Sequence, residues 1–246
     1  MHSPYGLEIV DCCSSCRLRS SGFFCNFSSA ALQYFDHIKS ASAFPRGAVL
    51  FVQGQPTRGI FVVCQGRVKQ SISSIKGKKL ILKIAEPGEV LGLGDTISGK
   101  RYGLTAETMD PCQVVFVKRD EFLRFLHEYG DACLGAAEQL GRNCNAVCHG
   151  LRSLGRSHSA TEKLALYLLE LIGKSAEPVN KQPQLHKLPS HKEISQTIGT
   201  SRETVTRLLA DLRRENIVQT EGTTLVVPSR AALERLLVAP SQRSLL

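Results

Sequence analysis

The most regular pattern of hydrophobic and polar positions lies in residues 189–214. Its second half places four apolar residues at the i, i+3, i+4, i+7 spacing of a helix that buries one face: Val205, Leu208, Leu209 and Leu212. A hydroxyl residue followed three positions later by glutamate predicts the start of a helix, at Ser190 with Glu193 and at Thr200 with Glu203. Gly199 lies between them, where a chain leaving a helix often needs a positive φ. The segment therefore predicts a helix–turn–helix.

The opposite face of the second helix carries side chains that can read DNA bases. Arginine bonds bidentately to guanine, glutamate accepts from the cytosine amino group, and threonine bonds bases or touches the thymine methyl. Glu203 and Arg207 are four residues apart, so we also expect them to hold each other in position. Charged faces are common on ordinary helix pairs, but capped helices with clustered base-reading groups favour DNA binding. We predict DNA contacts from Ser201, Arg202, Glu203, Thr206 and Arg207.

Short β-rich runs occur in two places. Residues 217–220 and 223–227 flank Glu221-Gly222 and predict a hairpin directly behind the second helix, which makes a winged helix. Between residues 46 and 117 the runs are separated by glycines, a pattern typical of an antiparallel sandwich or barrel. The strands predicted there are residues 49–52, 60–64, 68–73, 80–84, 104–106 and 114–117.

Helical spacing predicts three further helices, at residues 28–40, 119–156 and 160–172. The longest of them carries a stripe of small and apolar residues at coiled-coil-like spacing. Because a long helix after a barrel has little else to pack on, we expect this stripe to form the seam of a dimer. Its members are Leu134, Ala137, Gly141, Cys144, Cys148 and Leu151.

Composition and charge narrow the class of protein. The 246 residues carry a net charge of +9, which suits a polyanion partner without identifying one. No apolar run approaches the ~20 residues that span a bilayer, and the N-terminus lacks the pattern of a secretory signal, so we expect a cytoplasmic protein with no membrane partner. The barrel region contains no histidine for a metal-dependent enzyme, and no Ser-His-Asp arrangement, P-loop or GxGxxG appears. We therefore do not expect an enzyme.

The chain has nine cysteines, and four of them fall within fourteen residues near the N-terminus. A reducing compartment disfavours structural disulfides, which leaves metal, cluster or redox roles. An iron–sulfur cluster takes four thiolates, zinc accepts four tetrahedrally, and a dithiol pair can act as a switch. An electron-transfer protein would explain these cysteines but would leave residues 189–227 without a role. Four of the five cysteines outside this segment are interpreted as small core hydrophobes: Cys64, Cys133, Cys144 and Cys148.

The order of barrel, long helix and winged helix resembles the CRP/FNR family of bacterial transcription regulators. The resemblance rests on Gly47, Gly54, Gly66-Arg67-Val68, the Pro87–Gly92 turn and the Ser201–Arg207 motif. It implies an α+β fold, with an N-terminal antiparallel β-roll of the cyclic-nucleotide-binding type, a long dimerisation helix and a C-terminal winged helix–turn–helix. The expected segments are a Cys-rich sensory region at 1–27, the β-roll at 28–118, the dimerisation helix at 119–156 and the DNA-binding domain at 157–246.

The resemblance also implies how such a protein works. It implies a homodimer that binds double-stranded DNA at a two-fold symmetric operator, with RNA polymerase as a partner and with a signal received in the first 120 residues. Arg202, Glu203 and Arg207 match the base-reading positions of the cyclic-AMP branch, which prefers a TGTGA-like half-site. The family's nucleotide pocket needs an Arg-Ser pair, whereas here Arg101 is followed by Tyr102. We therefore do not expect a cyclic nucleotide.

Cys112 matches by its position the distant cluster ligand of the oxygen-sensing FNR branch. The resemblance therefore implies a 4Fe–4S cluster held by Cys13, Cys16, Cys25 and Cys112, with Cys12 as a possible substitute. The spacing from the CxxC pair to Cys25 is longer here than in that branch. If the family mechanism applies, the intact cluster orders the N-terminal segment, the long helices pair and DNA binds, and oxygen reverses these steps.

Overall fold

A computed structural model describes most of the chain. The chain divides into two compact units, residues 1–149 and 150–246. The side chains of residues 146–155, 174, 184, 185, 220 and 221 are outside the description. The described residues are 4–7, 9, 12, 13, 16, 26–74, 77, 79–155, 159–174, 184–185, 189–221 and 224–237.

The first unit is built from two four-stranded antiparallel sheets. One sheet has the order β1-β8-β3-β6 and the other β2-β7-β4-β5. The predicted β-roll is confirmed, and every strand predicted from the glycine-punctuated runs is present within a few residues of its expected bounds. The strands are β1 (Lys39–Phe44), β2 (Val49–Phe51), β3 (Gly59–Gln65), β4 (Val68–Ser73), β5 (Lys79–Ala85), β6 (Val90–Leu91), β7 (Thr105–Thr108) and β8 (Cys112–Lys118).

Four helices accompany these strands: α1 (Ser29–Ile38), α2 (Leu93–Ser98), α3 (Arg119–Glu128) and α4 (Gly130–Gly155). The sequence predicted α1 to end at residue 40, but it ends at Ile38 because the next residues pair with β8 as strand β1. It also predicted one helix over residues 119–156. The structure instead breaks that helix at Tyr129, whose extended backbone (φ −118°, ψ 104°) separates α3 from α4.

The sheet β1-β8-β3-β6 has two different buried faces, because successive side chains of a strand point to opposite sides. One face packs against α1, α3 and the start of α4, with Phe35, Phe122 and Phe125 at its centre. The other face packs against the second sheet around Tyr102 and Val114. Each residue of β3 and β8 is therefore assigned to one core or the other by its position along the strand.

The second unit contains the helix–turn–helix and a small sheet. It consists of α5 (Ala160–Lys174), β9 (Gln184–Leu185), α6 (His191–Ile198), α7 (Arg202–Arg214), β10 (Gln219–Glu221), β11 (Thr224–Val226) and α8 (Arg230–Arg235). The predicted hairpin is confirmed as β10-β11, and β9 adds a third strand that the sequence pattern did not reveal. Among the residues that the structure describes, no helix is long and apolar enough to cross a membrane.

A pair of glycines tests the packing between the strands. Gly47 and Gly66 have φ values of +84° and +80°, a region that L side chains rarely adopt. A Cβ at Gly47 would meet nothing within 4 Å, whereas one at Gly66 would overlap the Pro111 carbonyl oxygen and lie 2.5 Å from Cys112 Sγ. The two positions therefore differ in available space but not in backbone strain.

We expect Gly47→Ala to lower the free energy of unfolding by about 1–2 kcal/mol, the cost of a left-handed conformation. Gly66→Ala adds a backbone clash and should cost roughly twice as much or more. Urea denaturation of the two variants measures the difference. Equal losses would show that β3, β4 and the turn before β8 do not pack as described.

Candidate nucleic-acid interface and thiol surface

Capping interactions fix where α6 and α7 begin and where α6 ends. The Glu193 backbone N–H donates to Ser190 Oγ at 3.3 Å, and the Ser190 backbone N–H donates to Glu193 Oε2 at 2.9 Å, which confirms the first predicted capping box. Gly199 ends α6 with φ +68°, as predicted. The second helix begins one residue later than predicted, because Ser201 rather than Thr200 caps it by accepting from the Thr204 N–H.

The faces of α7 are fixed by burial. Val205 and Leu209 are fully buried and Leu212 is 3% exposed, so this side of the helix belongs to the core of the second unit. The predicted core residue Leu208 lies at the edge of that core and is partly buried. The opposite side presents all five residues predicted to contact DNA as exposed side chains: Ser201, Arg202, Glu203, Thr206 and Arg207.

The Glu203 carboxylate lies at the start of α7. Hydrogen bonds from its own backbone N–H and then from the Ser201 side chain lower its pKa, so the carboxylate is the stable form. The sequence predicted an ion pair between Glu203 and Arg207. Among the residues that the structure describes, none joins these two, since Glu203 is directed toward Ser201 at the helix N-terminus.

One residue next to this face was missed by the sequence analysis. His191 is the first residue of α6, and its Nδ1 lies 2.8 Å from Thr206 Oγ1 on α7. The hydroxyl of Thr206 also donates to the Arg202 carbonyl oxygen at 3.0 Å. The contact joins residues fifteen positions apart on different helices, so no local pattern could have revealed it.

The described part of the N-terminal segment is held on the first unit by a lysine and an aspartate. Lys39 Nζ donates to Cys13 Sγ at 3.2 Å and forms an ion pair with Asp36 at 2.6 Å. The Cys13 backbone N–H donates to Asp36 Oδ1 at 3.2 Å, and the Cys12 thiol lies 3.5 Å from Asp36 Oδ2. The Cys16 N–H donates to the Cys13 carbonyl at 3.2 Å, which brings the two cysteines of the CxxC motif together.

Burial controls the ionisation of two thiols on this face of the sheet, those of Cys13 and Cys64. Burial raises the pKa of the Cys13 thiol to about 11, against the opposing hydrogen bond from Lys39. Burial also raises the pKa of the Cys64 thiol to about 12, and the neighbouring charges of Cys13 and Cys16 raise it further. Cys64 and Cys13 pack against the same core cluster, so these two cysteines lie on one face of the sheet, and the effect of the Cys16 charge on Cys64 places Cys16 near them.

Cys112 lies on the other face of that sheet. It belongs to the core between the two sheets together with Val114, two positions along β8. Its thiol is buried and donates to the carbonyl oxygens of Asp110 at 3.2 Å and Arg67 at 3.4 Å. Cys25, the remaining predicted ligand, lies outside the described residues.

The structure therefore brings together Cys13 and Cys16 but does not bring Cys112 to them. Among the described side chains, no three histidines, cysteines or acidic residues converge as a metal site would require. The predicted set of four thiolates does not fit the geometry of this chain as it stands, and we derive no step through a cluster.

The predicted dimer stripe of α4 is exposed where it is described. Leu134 is 62% exposed, and Ala137, Gly141 and Cys144 are exposed with it. The interpretation of Cys133 and Cys144 as core residues is wrong, because both are exposed on this helix. The side chains of Cys148 and Leu151 lie outside the described residues. The buried side of the same helix carries Ala132, Ala136 and Gln139.

The interior of the β-roll is filled by Tyr102. Its ring stacks on Phe51 with centroids 4.0 Å apart, and its hydroxyl donates to the Gly59 carbonyl oxygen at 2.7 Å. The neighbouring Arg101 is exposed and donates to the Gly54 carbonyl at 2.9 Å. A packed tyrosine thus stands next to the arginine at the place where the family resemblance would require an Arg-Ser pair.

Comparison with known proteins agrees with this architecture. Residues 42–129 match the family "Cyclic nucleotide-binding domain", and residues 162–236 match the family "Crp-like helix-turn-helix domain". The chain is 25% identical over 185 residues to the cAMP-activated global transcriptional regulator CRP of Salmonella typhimurium, covering 75% of this chain and 87% of that protein.

Two further matches come from Bradyrhizobium. The chain is 27% identical over 225 residues to the nitrogen fixation regulation protein FixK of Bradyrhizobium diazoefficiens, covering 89% of this chain and 91% of that protein. The solved structure of FixK2 from Bradyrhizobium japonicum has the same fold, with a TM-score of 0.70, 23% identity and coverage of 82% of this chain and 98% of that one.

A β-roll followed by helices and a Crp-like helix–turn–helix defines a DNA-binding transcription regulator. Both family matches occur in this order, and CRP and FixK regulators align with most of the chain, which supports membership of the CRP/FNR family.

The thiols should differ in reactivity according to burial. At pH 8 a thiol with a pKa near 11 holds about a hundredfold less thiolate than an unperturbed one, so Cys13 and Cys64 should react with iodoacetamide far more slowly than exposed Cys133. Mass spectrometry of reduced, metal-free protein measures the order, and labelling in denaturant should abolish it. Equal rates for Cys13 and Cys133 in the folded protein would contradict the docked N-terminal segment.

Proposed function

We propose that this regulator binds a two-fold symmetric operator as a homodimer and reads each half-site with the exposed face of α7. The observation that carries the proposal is the burial of Val205, Leu209 and Leu212, because it leaves the opposite face of α7 exposed to solvent. That face carries two guanidinium groups, a carboxylate and a threonine. Guanidinium groups suit guanine, and an ionised carboxylate suits the cytosine amino group, so a half-site of the TGTGA type fits this set. The contacting residues in this proposal are Ser201, Arg202, Glu203, Thr206 and Arg207.

The dimer in this proposal forms along α4. Leu134 is a large apolar side chain with 62% exposure, and the exposed Ala137 and Gly141 beside it would let a second helix approach closely. The complete proposed seam also contains Cys144, Cys148 and Leu151. Two copies related by a two-fold axis would present two copies of α7 to half-sites about one helical turn apart. RNA polymerase is the partner that the family resemblance adds.

The control of DNA binding is proposed to reside in the N-terminal thiols. The resemblance implies an iron–sulfur cluster on Cys13, Cys16, Cys25 and Cys112, and a zinc ion or a dithiol pair are the alternatives. The described geometry favours a different set of thiols, since Cys64 shares a sheet face with Cys13 whereas Cys112 faces away. Because no three of the described side chains converge as metal ligands, we propose redox control through the thiols of Cys13, Cys16 and Cys64.

One hydrogen bond offers a route from the Cys-rich segment to α4. The backbone N–H of Ser28, which caps α1 directly after that segment, donates to Asp131 Oδ2 on α4 at 2.6 Å. A change in how the segment docks would therefore reach the proposed dimer helix through this contact.

An electron-transfer protein is the competing class, because it would also use N-terminal thiols. It gives no reason for an exposed set of base-reading side chains on a capped helix. A gel-shift assay beside an anaerobic absorption spectrum separates the two classes: the regulator retards a specific duplex, whereas an electron carrier shows the absorbing centre without retardation.

Arg202→Ala should relax base preference at one position. Loss of a bidentate arginine–guanine contact costs about 1–3 kcal/mol at that base and leaves the other positions unchanged. Selection from a randomised duplex pool followed by affinity measurement gives the preference of each variant. Arg213→Ala, an exposed arginine near the other end of α7, is the matched control and should keep the full preference. An unaltered preference in Arg202→Ala would contradict the assigned role.

Serine substitutions distinguish the two thiol arrangements. Protein purified without oxygen is analysed for iron, sulfide and zinc and for DNA binding before and after air exposure. We expect Cys64→Ser to lose the redox response, while Cys112→Ser and the exposed control Cys133→Ser keep it, with circular dichroism checking that each variant folds. Loss confined to Cys112→Ser would support the family's ligand set instead. A full redox response in Cys13→Ser would refute thiol control by this segment.

A further inference from the structure

The Thr206 side chain is held by two groups of the protein itself. Its hydroxyl oxygen lies 3.0 Å from the Arg202 carbonyl oxygen one turn earlier in α7 and 2.8 Å from His191 Nδ1 at the start of α6. Thr206 is nevertheless exposed, and it lies between Arg202 and Arg207 on the proposed DNA-reading face. A side chain at this place can offer DNA either its hydroxyl or its methyl.

The hydrogen bonds of the hydroxyl narrow the choice. A threonine hydroxyl has one proton and two lone pairs, and both of its hydrogen-bond neighbours here are protein atoms. When the hydroxyl donates to the Arg202 carbonyl, His191 Nδ1–H donates to the hydroxyl oxygen; when the hydroxyl donates to Nδ1, its proton is again used inside the protein. In both arrangements the proton is used and the oxygen is turned toward α6 and the preceding turn, so Thr206 can offer DNA only a remaining lone pair or its γ-methyl.

We infer that His191 is a positioning residue that fixes Thr206 so that its γ-methyl contacts the 5-methyl group of a thymine in the operator. The inference rests on the proposed function and adds the kind of contact made at one base. The thymine methyl is the apolar group that the major groove presents, and a methyl held in one rotamer meets it without loss of a hydrogen bond. His191 takes part without touching the base.

The probe is a palindromic duplex with TGTGA half-sites, or the duplex that the unmodified protein selects from a randomised pool. Each thymine is replaced in turn by deoxyuridine, which lacks only the methyl. At one thymine of each half-site we expect the unmodified protein to bind the uracil duplex about threefold to fivefold more weakly, the effect of one lost methyl contact. Thr206→Val replaces the hydroxyl by a second methyl on a branched Cβ with restricted rotation, so a methyl still occupies this position and the variant should retain the ratio.

Three further variants complete the test. Thr206→Ser keeps the hydroxyl and removes the methyl, so its thymine-to-uracil ratio should fall to about one. His191→Ala releases the hydroxyl and should lower the ratio, whereas His191→Asn places an amide N–H near the position of Nδ1 and should restore it. A purely structural role of His191 would change overall affinity in His191→Ala without changing the ratio.

The outcomes separate this inference from the function on which it rests. If the unmodified protein retards no duplex, the proposed function fails and this inference fails with it. If it binds DNA but Thr206→Ser keeps the ratio, the Thr206 methyl does not read the thymine and the inference is overturned while the function stands. A ratio in His191→Ala equal to that of the unmodified protein would likewise overturn the role of His191.

Discussion

The rotation of α7 about its own axis is the constraint on which the DNA-reading account depends. Val205 and Leu209 are fully buried among Leu164, Leu168 and Ile194, so turning the helix would expose several apolar side chains at once. Burying one such side chain contributes roughly 1.5–3 kcal/mol, so exposing several together costs more than any single polar contact on the outer face could offset. The positions of Arg202, Glu203, Thr206 and Arg207 are thus set by residues that do not touch DNA.

A comparable constraint acts in the first unit, where one sheet separates two cores. Along β8 the side chains of Cys112 and Val114 enter the space between the sheets, while Val115 and Val117 face the helices. The same alternation places Cys64 on the helix side, near the docked CxxC segment. Which cysteines can act together therefore depends on the face of the sheet that each one occupies, and not on their separation along the chain.

Much of the fold could be predicted from the sequence, because its signals are local. Glycine-separated β-rich runs, the Ser190–Glu193 capping box and the apolar spacing of α7 each lie within one element. The break at Tyr129 could not be predicted, since the helical spacing of residues 119–156 continues across it. The contact of His191 with Thr206 and the common face of Cys13 and Cys64 arise only from tertiary packing, which no local sequence pattern reveals. The choice of Cys112 as a ligand therefore rested on the family motif alone.

Protection of guanine N7 from dimethyl sulfate tests the central claim most directly, because N7 is exposed in the major groove that α7 would occupy. In the complex with a palindromic duplex, the account predicts protected guanines in two symmetric half-sites centred about 10 base pairs, one helical turn, apart. A stable complex whose major-groove guanines react as in free DNA would contradict it.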